Sequence, residues 1–371
     1  MYHGTEIDWP MFDPERMEVR GKNINDLIGV VDPVEMFFFI LNGALPTKEE
    51  RSECETALWQ GFYSIKPGQA AWEAAVTAHR AGASVPCALI AGLATGLPEI
   101  GEAAASISAR STMPPDICEG WVLFGVLPAM LYAVADHHRP AWPVDKPLSG
   151  LLLQDFTSGF TGDAGITQKA LNAVLVGMQA GLGYLSPTVM LPRVAAGTRA
   201  DLILCLIAGF SASGPAHVGG SEECVQLLSR IKKASPQSSD KGELTALLNA
   251  WGSEFGRIPG FGHPLFRRDP RVNRLREYLR EIRFANESLS HYDTLCAVMV
   301  EKYGLHPNTD SLNAVVLSDL GLKKGIGVGV FLCMRAAAMI AHVFEKRRLP
   351  RFGVTSATAR AYLHKIPIGW I

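Results

Sequence analysis

Three short segments of this 371-residue chain set a titratable side chain in a loop bounded by Gly, Pro or Asn. They are Gly214-Pro215-Ala216-His217, then Gly260-Phe261-Gly262-His263-Pro264 followed by Asp269-Pro270-Arg271, and finally Asn308-Thr309-Asp310. Such backbone lets a small ligand approach main-chain groups, and loops carried on a rigid scaffold are where catalytic side chains collect. Two imidazoles and a carboxylate would supply hydrogen-bond donation and proton transfer. Taken singly, either histidine is explained as well by capping or by a buried hydrogen bond. Together with Asp310 they read as a site.

Arginine adds a second kind of chemistry. Arg335 is the only charged residue in positions 325–341, a stretch otherwise apolar on nearly all sides. Burying a guanidinium without an anion costs several kcal/mol, so a carboxylate-like partner is expected, either structural or a substrate. Arg271 falls in the first turn of a predicted helix, whose positively polarised start makes it a second natural anion ligand. Other signals are weaker. Gly325, Gly327 and Gly329 follow no strand and lack dinucleotide-loop spacing, which leaves close helix packing. Ser211 and Ser213 do not meet the nucleophile-elbow frame. His137 and His138 are adjacent and complete no zinc site with neighbouring Cys or His, so a solvated surface pair is expected.

Helices must position these groups. Asp269 suits an N-cap and Pro270 the first helical position, after which Val272, Leu275, Leu279 and Ile282 share one face. From Tyr292 the apolar positions Leu295, Val298, Met299 and Tyr303 repeat the spacing, with Gly304 as a stop. Leu244, Leu247, Leu248 and Trp251 do the same. Further helices are predicted over 33–43, 48–63, 70–81, 118–135, 165–182, 199–213, 219–232, 311–320 and 326–346. Alternating strand patterns are scarce, and the pattern predicts an all-α protein. The polar tract 232–241 reads as a surface loop near which a subdomain starts.

The chain is long enough for two or three domains and a large core. With 35 Lys and Arg against 36 Asp and Glu, the net charge of −1 lacks the basic footprint of nucleic-acid binding. Charged residues make up 19% against a usual ~25%, and hydrophobic residues 48%, which favours an interior enlarged by subunit contact. Seven widely spaced cysteines with no C-x-x-C pair suit reduced thiols in a cytosol. No secretory signal is visible. The apolar stretches 121–135 and 326–341 are interrupted by Pro128 and Arg335 and fall short of the ~20 residues of a membrane helix, so a soluble, cytoplasmic protein is expected.

At these residues the sequence resembles the citrate synthase family. Val19-Arg20-Gly21, then Leu27-Ile28 and Leu41-Asn42-Gly43-Ala44-Leu45-Pro46-Thr47-Lys48, are similar to that family's opening. The three loop segments and Met334-Arg335-Ala336-Ala337-Ala338-Met339-Ile340-Ala341-His342 follow in the family's order. The resemblance implies an all-α homodimer with a large domain, 1–218 and 322–371, and a smaller mobile domain, 219–321, that closes over substrate. It implies no bound cofactor, with acetyl-CoA as co-substrate and a 2-oxo acid as acceptor. By this analogy Asp310 takes a methyl proton from acetyl-CoA, His217 hydrogen-bonds the thioester oxygen, and His263 polarises the acceptor's keto group. Arg271 and Arg335 would hold the acid's carboxylates, with Arg348 added near the carboxyl end. Gly260, Phe261, Gly262 and Arg267 would lie along CoA.

The sequence also departs from the family's pattern. The stretch 177–182, where the family carries a further acid-binding His, contains none, and Leu349 stands before Pro350 where the family has an Arg. Losing such donors alters which acid is gripped. The wording Arg257-Ile258-Pro259-Gly260-Phe261-Gly262-His263-Pro264 is similar to the citryl-CoA lyase-like branch, and a branch condensing acetyl-CoA with phosphonopyruvate would also account for an altered acid pocket.

Overall fold

A computed structural model describes residues 5–135, 163–214, 217–234, 241–284, 286–321 and 325–353. His137 and His138 lie outside the described residues, as does most of the 232–241 tract. The amino-terminal segment forms a three-stranded antiparallel sheet of β1 (Asp8–Phe12), β2 (Glu15–Val19) and β3 (Lys22–Asn23), with Asp8 opposite Val19. Fifteen α-helices follow among the described residues: α1 (Pro33–Asn42), α2 (Lys48–Ser64), α3 (Ala70–Arg80), α4 (Val85–Thr95), α5 (Leu97–Ser108), α6 (Pro115–Val134), α7 (Ala164–Gln179), α8 (Pro187–Gly197), α9 (Leu202–Ser211), α10 (Gly220–Ala234), α11 (Lys241–Phe255), α12 (Pro270–Glu281), α13 (Asn286–Tyr303), α14 (Thr309–Asp319) and α15 (Ile326–Arg347).

The sequence explains most of these boundaries. Asp32 caps α1 with its carboxylate on the Val34 and Glu35 amides while Glu35 returns to the Asp32 amide, and Gly43 closes the helix in the left-handed conformation. Thr47 and Glu50 repeat the reciprocal cap on α2. Asp269 caps α12 as its spacing predicted, and Asn308 caps α14. Three helices escape the periodicity: α4 is apolar almost throughout, α5 opens on Leu97-Pro98, and α8 carries Pro192 inside it. The sheet escapes as well, because its strands are two to five residues long.

Helices α6 and α15 form the centre. Both are long and apolar enough to cross a membrane by length and composition, at 20 and 22 residues, against the expectation that their apolar stretches fall short, and α6 runs through Pro128 as its predicted span has it. Burial accounts for their composition, since 89% of each apolar window is covered by the rest of the protein. Gly329 in α15 presses on Leu131 of α6, in keeping with the close packing expected of the glycine run. Glycines bring α2 and α6 into backbone contact. A Cβ on Gly61 would stand 1.9 Å from the Val122 carbonyl oxygen, and one on Gly125 1.8 Å from that of Leu58. All seven cysteines are unpaired thiols, six of them buried.

Helices α10 to α14, which carry two of the three loop segments, meet the rest of the chain through α12 against β2 and α7, α14 against α7, and α10 against α15. Asn25 donates to the Pro270 carbonyl at 2.9 Å, tying the start of α12 to the segment after β3.

Because backbone rather than a movable side chain faces Gly125, Gly125→Ala forces the two helices apart. We expect a loss of about 3 kcal/mol in stability, read from the midpoint of urea unfolding.

Candidate active site

Two loops that are distant in the chain are zipped together. Phe261 bridges Pro307, the Gly262 amide donates to the His306 carbonyl at 2.8 Å, and the Asn308 amide donates to the Gly260 carbonyl at 2.9 Å. The Asn308 side chain adds a bond to the Gly262 carbonyl at 2.7 Å while its oxygen caps α14 at the Asp310 amide. Gly260 fits only without a side chain, since a Cβ would meet Cys224 Sγ at 2.5 Å. The pairing sets the His263 loop beside the first turn of α14, which carries Asp310.

Asp269 makes the second tie. Its carboxylate accepts from the Arg271 amide and Nε on one oxygen, at 3.1 and 2.9 Å, and from Arg271 Nη2 and the Thr309 amide on the other, at 2.8 and 3.1 Å. One buried carboxylate therefore fixes the starts of α12 and α14 together. It also occupies the guanidinium fork that the sequence assigned to an acid. Arg271, 5% exposed, keeps Nη1 near the Gly177 carbonyl at 3.4 Å.

Asp310 is half-buried, with Oδ1 accepting from Ser221 Oγ at 2.6 Å. Its Oδ2 lies where a Cβ on Gly220 would come within 2.6 Å, so a larger first residue of α10 would displace the carboxylate from its present position. Burial lifts the Asp310 carboxyl above its ordinary 3.8, against the opposing pull of Ser221, Arg271 and Arg335. That is the direction that suits a general base.

The two imidazoles are held in opposite tautomers. His263 Nδ1 accepts from the Leu265 and Phe266 amides at 3.1 and 3.2 Å, so its ring proton sits on Nε2, available as a donor. Burial holds the ring below its ordinary 6.5 despite Asp269. His217 Nδ1 faces the Ala212 carbonyl at 3.2 Å and must carry the proton there, leaving Nε2 as an acceptor. Burial lowers it too. In the conformation described, the donor role expected of His217 requires its Nδ1 proton to leave Ala212.

Arg335 departs from ordinary ion-pair practice. It is 5% exposed, donates to the Ala180 carbonyl, lies 4.9 Å from the centre of the Phe331 ring and leaves Nε without a partner. Burial and the neighbouring Arg271 push it down to about 9, against the opposing fields of Asp8 and Asp310. The carboxylate-like partner expected from sequence is thus not supplied as a direct ion pair among the described residues. Asp310, His217 and Arg271 all lie within the electrostatic reach of Arg335, and His263 within that of Asp269 and Arg271. The expected residues therefore share one neighbourhood.

Two expected residues stand apart. Arg348 is exposed at the end of α15 and contacts none of the groups above. Arg267 points to solvent beside Arg268, and the amides of both donate to Glu15 at the tip of the β1–β2 hairpin. Sequence reasoning missed Ser221, the donor to Asp310, because nothing in a helix's first turn marks a serine as the partner of a residue 89 positions away.

Known proteins share this chain's sequence pattern and fold. A family model described as citrate synthase, C-terminal domain, matches residues 5–353. The 2-methylcitrate synthase of Shewanella oneidensis is 28% identical over 160 residues, 42% of this chain and 41% of that protein, so the match spans about two fifths of that relative's length. A citrate synthase of Saccharolobus solfataricus is 25% identical over 345 residues, 89% of this chain and 85% of that protein. Among solved structures, citrate synthase from Pyrobaculum aerophilum superposes with a TM-score of 0.74 at 18% identity, covering 96% of this chain and 90% of its own. A Thermoplasma acidophilum citrate synthase, solved with carboxymethyl coenzyme A and oxaloacetate, gives a TM-score of 0.69 at 18% identity, covering 95% and 92%. At that identity the likeness establishes the all-α fold.

Two outcomes follow from the geometry. Ring ¹⁵N shifts at pH 7 should identify His263 as the Nε2–H tautomer and His217 as Nδ1–H; a cationic ring at either position contradicts the hydrogen bonding described. Asp269→Asn strands the Arg271 guanidinium and loosens α14, for an expected loss of about 3–5 kcal/mol in urea unfolding.

Proposed function

The chain belongs to the citrate synthase family, whose model spans residues 5–353, and on that premise we propose that it is an acyl-CoA C-acyltransferase that condenses acetyl-CoA with a 2-oxo acid in a Claisen-type reaction. The observation that carries this reading is Asp310: a carboxylate lifted by burial, oriented by Ser221 and set among two imidazoles and two buried arginines.

A thioester α-proton is far less acidic than a carboxylic acid, so abstraction requires a base near the methyl group and a donor where negative charge develops on the thioester oxygen. Asp310 takes the proton. A general base contributes roughly 10²–10⁴-fold, and a donor at an oxyanion about 3–4 kcal/mol. His217 serves the thioester oxygen once its proton is redirected from Ala212. His263 presents Nε2–H to the acceptor's keto oxygen, where a neutral donor withdraws charge without surrendering its proton early.

Arg335 holds an acceptor carboxylate, the anion that its unneutralised buried charge calls for. Arg271, already committed to Asp269, contributes field and Nη1. The Gly260–Gly262 backbone and Arg267 line the CoA side, and Arg348 serves a neighbouring site across a homodimer. Residues 219–321 act as a small domain whose closure excludes water around Asp310. The protein works in the cytoplasm with no bound cofactor.

The acceptor is oxaloacetate or a close analogue, phosphonopyruvate included. With no His in 177–182 and Arg271 tied to Asp269, fewer donors are open to the acid than the family pattern supplies. The same residues run backwards would cleave citryl-CoA.

A panel of 2-oxo acids with acetyl-CoA, followed by thiol release, tests acceptor and reaction together; silence across the panel, with acetyl-CoA formed from citryl-CoA, reassigns the direction. Asp310→Ala should cost at least about 10²-fold in kcat while leaving the fold intact, and full turnover in that variant rejects the mechanism. Since the base must be ionised, kcat should fall as pH drops through a value above 3.8. Both imidazoles titrate below 6.5 and stay neutral on the alkaline side, so no loss is expected there up to pH 8.

A further inference from the structure

Asp8 in β1 is fully buried and belongs to none of the groups assigned to proton transfer. Its Oδ2 accepts from the Gly181 amide at 2.5 Å, and its Oδ1 accepts from the Gly183 amide at 2.7 Å and from His342 Nε2 at 2.9 Å. Behind it, His342 Nδ1 lies 2.6 Å from Arg193 Nη1. A guanidinium only donates, so Nδ1 accepts and the ring proton faces Asp8. Arg193, 2% exposed, also bonds Glu345 and the Tyr184 hydroxyl, and Glu345 accepts from the Glu6 amide at 2.8 Å.

This network and Arg335 grip one turn from two sides. The Ala180 carbonyl accepts from Arg335, and the amides of Gly181 and Gly183 donate to Asp8. The turn is unfavourable by itself, with Leu182 in left-handed backbone at φ 62°. His342 follows Arg335 by seven residues, two turns along the same face of α15.

We infer that Asp8 is the positioning residue of the Arg335 anion site: it holds the 180–183 turn whose carbonyl aims the guanidinium, and His342 with Arg193 holds Asp8. The inference rests on the reading of Arg335 as the acid-binding cation. Asp8→Asn gives a decisive sign. Removing a negative charge near Arg335 would by field alone tighten the binding of an anion, whereas loss of positioning weakens it.

The probe is oxalate, titrated calorimetrically into the full chain, with acetyl-CoA titrated in parallel. Asp8→Asn should weaken oxalate at least tenfold and leave acetyl-CoA within threefold. Unchanged or tighter oxalate binding, or equal weakening of both, overturns the inference. Should that variant fail to fold, His342→Gln keeps one donor and one acceptor and should stay within threefold of the parent, while His342→Leu should lose tenfold; equal behaviour of the two overturns it. Arg335→Leu separates the layers. Oxalate binding lost there but kept in Asp8→Asn removes the positioning role alone, and oxalate binding that persists in Arg335→Leu removes the acid-site reading on which it stands.

Discussion

The carboxylate of Asp269 is the constraint from which the site's geometry follows. Four hydrogen bonds converge on it, two from one guanidinium and two from the amides that begin α12 and α14. A buried ion pair of this kind adds little net stability over an apolar pair of equal shape, but breaking one side of it is expensive. Its value here is geometric. With the starts of two helices fixed to the same few ångströms, His263 and Asp310 hold their relation through backbone rather than through flexible side chains, and the zipper between residues 260–262 and 306–308 reinforces it.

Against that rigid frame, Arg335 is the group left electrically incomplete. Arg271 has its carboxylate; Arg335 has a carbonyl, an aromatic face and an Nε with nothing to donate to. Folding leaves a desolvated positive charge beside a carboxylate that burial pushes toward its neutral form. Each resists its own charged state.

Much of this was legible from residue order. Asp269-Pro270 announced a helix start, and the same spacing put Arg271 in its first turn; both hold. The twelve helices that carry apolar residues at helical spacing were readable, while α4, α5 and α8 were not, because one is apolar on every side and the others open on or contain proline. The ion pair of Arg271 with Asp269 went unread for a different reason. Its nearest anion lies two residues away in the chain, and the sequence signal for a cap conceals the signal for an ion pair.

Sequence alone determined the inventory: an all-α chain, the loops with their two imidazoles and one carboxylate, and a lone arginine in an apolar helix. Those are properties of composition and local period, and they survive any arrangement of the helices. Tertiary structure decided which histidine nitrogen carries the proton, that Ser221 orients Asp310, that Arg271 is spent on Asp269, and that Arg348 ends in solvent. The Ser221–Asp310 bond and the burial of each group are set by contacts between residues far apart in the chain, whereas the partners of His263, His217 and Arg271 lie two to five positions away and are engaged only in the folded loops. No local pattern encodes these contacts, because they arise only once the helices have packed.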